Sequence, residues 1–154
     1  SSNAAYQSGA IYISNDQDNN EDMIDDFVHE LAHAAESGYP TIIYADGQLE
    51  TEFLRRRNNL KSILNHHGYD IEKYDFLDPE YSREFDTFLY EVVTYPVLNV
   101  LSEGLFSSAY GITSLKEYWA SGFEEYFLGD RKYLYNVSKV LYNKINELAN
   151  YEQN

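Results

Sequence analysis

Two histidines four residues apart, with a glutamate directly after the first, give His29-Glu30-Leu31-Ala32-His33 the pattern H-E-x-x-H. On a helix, residues four apart lie one above the other, so both imidazoles can face a single ion. Glu30 is rotated off that line, where its carboxylate reaches a water rather than the metal. Two nitrogens on rigid helix positions suit Zn²⁺ and leave room for a third ligand and a water. The chemistry such a set performs is metal-assisted hydrolysis, with Glu30 as general base. Leu31, Ala32, Ala34 and Ala35 are small or apolar, as a packed mid-helix segment requires.

A catalytic zinc needs a third protein ligand, and the chain contains no cysteine to supply it. The remaining histidines, His66 and His67, are neighbours near the end of an expected helix. Adjacent helical residues point about 100° apart, so at most one could join the site. Their plainer role is as cations favoured at a helix C-terminus. The better candidates are Glu117, Glu124 and Glu125 in "SLKEYWASGFEEYF", where Glu117 and Glu124 share a helical face. Ser114 and Glu117 also form S-x-x-E, a capping box that would tie the Glu117 carboxylate to the Ser114 amide. Residue types and spacing leave both Glu117 and Glu124 open as the third ligand.

The elements that must position these residues are mostly helical. "GAIYIS" (Gly9 to Ser14) alternates like one strand, and the polar run from Asn15 to Asp22 offers N-caps. Apolar residues at helical spacing predict a helix from Glu21 to about Glu36, stopped by Gly38 and Pro40. "PTIIYADGQ" reads as a short extended piece with a bend at Asp46–Gly47. Helices are expected from Leu49 to about His67, from Glu80 to about Glu103 with Pro96 kinking or splitting it, from Ser114 to Leu128, and from Asp130 to about Ala149. The expected fold is α+β, predominantly helical, with a small sheet beside the motif helix. The opening "SSNA" reads as an expression-tag remnant, and residues 5–154 as one domain.

With 44% hydrophobic residues the chain can build a sizeable core. Its formal net charge of −15 disfavours nucleic acid and anionic membrane partners and is compatible with basic or neutral peptides. No run approaches the roughly 18 apolar residues of a membrane span. Without cysteine, disulfides and thiolate ligands are excluded.

"HELAHAAE", followed much later by "YGITSLKEYWASGFEEYF", resembles the anthrax lethal factor-like metallopeptidases, a group that includes the bacterial Pro-Pro endopeptidases. The two segments bracket most of the chain, while the middle does not align. The resemblance implies a zincin-like domain holding one Zn²⁺ and cleaving a peptide or protein substrate. It implies His29, His33 and Glu117 as metal ligands, Glu30 as general base and Tyr110 as the oxyanion donor. It also favours a secreted protein. Glu36 falls where the family commonly has an aspartate, on the histidine face. The chain departs from the pattern at Ser121, where the family usually has a second glutamate; if that glutamate braces an imidazole, Glu124 is the available substitute. A zincin-like module kept for binding or assembly, with little turnover, is the competing expectation, and a non-peptide amidase a third.

Overall fold

The computed structural model describes residues 4–7, 10–13 and 20–151. Paired strand among these is confined to two segments of four residues, β1 (Ala4–Gln7) and β2 (Ala10–Ile13). They pair antiparallel, Ala4 opposite Ile13 and Gln7 opposite Ala10. The expected strand thus runs from Ala10 to Ile13, with Gly9 and Ser14 outside the described residues, as are positions 15–19 of the expected capping run.

The remaining elements are helical. They are α1 (Asn20–Gly38), α2 (Pro40–Tyr44), α3 (Gln48–His66), α4 (Arg83–Thr87), α5 (Tyr95–Leu101), α6 (Leu115–Leu128), α7 (Arg131–Val137) and α8 (Lys139–Tyr151). A π-helical turn spans Phe88–Val93, and a 3₁₀ turn spans Tyr110–Ile112.

Helix α6 lies at the centre. Ser114 caps it, its Oγ accepting from the Glu117 amide at 3.1 Å. Tyr118, Trp119, Ala120, Ser121 and Gly122 are consecutive and all buried, so the helix is packed on every side. A Cβ on Gly122 would lie 2.9 Å from Leu141 of α8, and this close approach requires glycine. On the other side the Trp119 indole donates to the Ala32 carbonyl of α1 at 2.9 Å. That one buried bond, worth about 1 kcal/mol, fixes α6 against the motif helix within a turn of both histidines.

The expected α+β architecture is corrected by this arrangement: the protein is helical throughout its body. Every described core residue, from Ala32 to Ile145, comes from a helix, a helical turn or the loops between them. The physical reason is that only one stretch alternates in the sequence, and a four-residue hairpin buries too little to form a layer. The other piece read as extended, "PTIIY", coils into α2 with Pro40 in its first turn, where a missing amide costs nothing. One turn suffices to bury Ile43 completely.

The helix anticipated from Glu80 to Glu103 splits, as one of the two outcomes expected of Pro96, and it does so at Thr94, which sits at φ 76°, ψ 147°. Pro96 cannot donate to the carbonyl four residues back and its ring would clash there, so the chain restarts as α5. The helix anticipated from Asp130 divides at Ser138, whose hydroxyl accepts from the Leu141 amide at 3.0 Å and starts α8 anew. In α1 the apolar stripe is mostly not core: Met23, Ile24 and Phe27 are exposed, and the buried face carries Val28, Ala32 and Glu36.

Candidate metal centre

His29 and His33 leave α1 on one face, and Glu117 reaches them from the first turn of α6. His29 Nε2 lies 3.2 Å from His33 Nε2. The Glu117 carboxylate closes the triangle, Oε2 at 3.3 Å from His29 Nε2 and Oε1 at 3.3 Å from His33 Nε2. The outer ring nitrogens are engaged as well. His29 Nδ1 lies 2.5 Å from Glu124 Oε1 of α6, and His33 Nδ1 lies 2.7 Å from Glu36 Oε2 of α1. Glu36 is itself held by the Tyr44 hydroxyl of α2.

The chemistry of the donors follows from these partners. A carboxylate only accepts, so each Nδ1 carries a hydrogen, and once an imidazole is neutral its Nε2 presents a lone pair inward. Two nitrogen lone pairs and a carboxylate then face one another at contact distance. Glu117 Oε2 is buried and has no hydrogen-bond partner, its separation from His29 being short but misaligned. Three converging acceptors with an orphaned oxygen among them are stable only around a positive charge. His29, His33 and Glu117 form a group able to hold a metal ion.

Among the protein groups alone, protons supply that charge. Burial on its own pushes both imidazoles down, but the surrounding carboxylates outweigh it. Glu117 and Glu124 lift His29 to about 10, and Glu117 and Glu36 lift His33 to about 9. Burial likewise pushes Glu117 up, and the two imidazoles overcome it and hold the carboxyl at about 2. The site is built for a cation at neutral pH, whichever cation fills it.

A cleft of about 550 Å³ opens beside His29 and is lined by Tyr110, Ser121 and Glu124, with a second wall from Asp86 to Tyr95. The Tyr110 ring centroid is 6.4 Å from that of His29. Burial first, and then the charges of Glu117 and Asp86, push its phenol up to about 12, so it remains a proton donor. Glu30 follows His29 on α1 and is buried, 8% exposed. It is not among the described residues lining the cleft.

The structure therefore brings His29, His33, Glu117 and Tyr110 together. It leaves the exposed pair His66 and His67 at the end of α3, outside the cluster. Glu124 contacts His29 through Nδ1, on the side away from the converging Nε2 atoms. The Ser114 hydroxyl takes up its half of the capping box, while the Glu117 carboxylate turns to the histidines. Sequence reasoning missed Tyr44, because it lies beyond Pro40 in a segment read as extended; nothing in its spacing marks it. Compared with known proteins, the chain matches no family model, no curated protein and no solved structure.

Proposed function

We propose that the chain is a zinc-dependent endopeptidase, in keeping with its resemblance to the lethal factor-like metallopeptidases. The observation that carries this is the acceptor triangle of His29, His33 and Glu117, with edges of 3.2, 3.3 and 3.3 Å. A tetrahedral zinc with bonds of about 2.0–2.1 Å requires edges of about 3.3–3.4 Å, which supports zinc over the larger, oxygen-seeking Ca²⁺. The carboxylates behind each imidazole would orient the rings and raise their basicity toward the metal.

Bound by these three residues, zinc would supply Lewis acidity, bringing the pKa of a water toward 7 and polarising the scissile carbonyl. Glu30 takes the proton as the water oxygen bonds to the carbonyl carbon. It then delivers that proton to the nitrogen as the C–N bond breaks. Tyr110 donates a hydrogen bond to the oxyanion that develops between these events. Among the described residues the cleft wall carries Asp25, Asp26, Asp86, Glu91 and Glu124 and no lysine or arginine, which favours peptides with a basic side chain beside the cleaved bond.

A second reading, a metal-holding module without turnover, rests on the burial of Glu30 away from the cleft wall. One experiment separates the two. Zinc content is measured by elemental analysis, and a peptide library is incubated with wild type and Glu30→Gln. The protease reading expects one zinc per chain in both proteins and cleavage by the wild type alone. Bound zinc without cleavage by either would count against the protease reading and favour the binding module.

A further inference from the structure

The residue at which the chain departs from the family pattern, Ser121, has a specific set of contacts. It lies one turn after Glu117 on α6 and is buried, 6% exposed. Its Oγ accepts a hydrogen bond from the Ser108 hydroxyl at 2.9 Å. Ser108 Oγ in turn accepts from the Gly111 amide at 3.3 Å, in the 3₁₀ turn that carries Tyr110. Gly111 presses directly on Ser121: a Cβ there would come within 2.9 Å of Ser121 Oγ and 3.1 Å of its Cβ. The far end is held by buried Arg57, which donates to the Ile112 carbonyl at 3.0 Å, and by Thr113, whose hydroxyl donates to the Tyr110 carbonyl at 2.8 Å.

We propose that Ser121 is a positioning residue, which through Ser108 and Gly111 ties the Tyr110 turn to the helix that carries Glu117. One face of α6 then sets both the carboxylate and the phenol, so the distance between metal ligand and oxyanion donor is fixed by a rigid element. The carboxylate at His29 Nδ1 is that of Glu124, one turn beyond Ser121, so position 121 is not needed to hold that imidazole. The proposal's effect on turnover rests on the endopeptidase reading, but its geometry does not.

The test places 3-fluorotyrosine at position 110 and compares wild type, Ser121→Ala and Ser108→Ala by ¹⁹F NMR, with zinc titrations and peptide kinetics alongside. Ser108 is exposed, so its variant folds even where Ser121→Ala is compromised. The expected result is one narrow line in wild type and a shifted or broadened line in both variants, with zinc affinity within twofold. It also includes kcat lowered about tenfold at unchanged KM, as for a loosened oxyanion donor. An identical ¹⁹F line in all three proteins overturns the proposal, as does an equal change in kcat and KM. If the line shifts as expected but wild type cleaves nothing, the endopeptidase reading fails and the tie between Ser121 and the Tyr110 turn stands.

Discussion

Adjacent residues of α6 anchor two buried polar clusters of opposite character. Tyr118 points to the α3 side, where its hydroxyl donates to Glu52 at 2.5 Å, and the Ser138 hydroxyl donates to the same carboxylate. Arg56 comes within 4.0 Å of the other oxygen, so a permanent cation faces that carboxylate. Glu117 points to the α1 side, where it meets two imidazole nitrogens and leaves one oxygen without a donor. The first cluster is complete in protein atoms alone and holds α3, α6 and α8 together. The second is short of positive charge by construction. Burial alone does not separate the two clusters; the supply of positive charge within the protein does.

The sharpest way to break this contrast is to remove the carboxylate from each cluster. Glu117→Gln is expected to weaken zinc binding by more than about a hundredfold, since even residues behind the ligands cost 10–100-fold. Competition with a chromogenic chelator reads this directly. Glu52→Leu leaves two hydroxyls unpaired and is expected to cost about 1–3 kcal/mol of stability in urea unfolding, with zinc affinity unchanged. Equal loss of zinc in both variants would erase the distinction.

A smaller effect is expected at Glu124. Replacing it by Gln removes the charge that orients His29 and is expected to weaken zinc by about 10–100-fold, with the fold intact. Zinc affinity within twofold of wild type would assign Glu124 to the surface charge rather than to the centre.

The smallest effect is the pH dependence of stability. Without metal, His29 and His33 have pKa values raised from 6.5, so their contribution is complete below pH 6.5 and fades as pH climbs through about 9 to 10. Glu117 is lowered from 4.5, so its contribution is complete above pH 4.5 and fades as pH falls toward 2. Protein treated with chelator should therefore melt highest between about pH 4.5 and 6.5. Zinc should restore the melting temperature above that window, because it replaces the protons lost from the imidazoles. Melting temperatures measured with chelator and with zinc across the range would show this, and parallel curves would contradict it.

Much of the centre was legible in the sequence because helical spacing is itself geometry. His29 and His33 needed only the four-residue repeat, and Glu36 only its return to their face. The choice between Glu117 and Glu124 was not legible from spacing, since both share a face and only the approach of α6 to α1 decides which one meets the inner nitrogens. The fold was read less well. "TIIY" is rich in β-branched residues, yet Pro40 and the burial of Ile43 make it helical, tertiary packing overriding local preference. A break at Pro96 was legible, only its position two residues earlier at Thr94 was not, while the restart at Ser138 accompanies a bond to Glu52, distant in sequence.

X-ray absorption at the zinc edge of the loaded protein tests the central claim most directly. The account predicts one zinc per chain with two imidazole shells at about 2.0–2.1 Å and oxygens at about 2.0–2.2 Å, the imidazole signal vanishing in the His29→Ala, His33→Ala double variant. An all-oxygen shell in the wild type, or an imidazole signal that survives that double substitution, would contradict it.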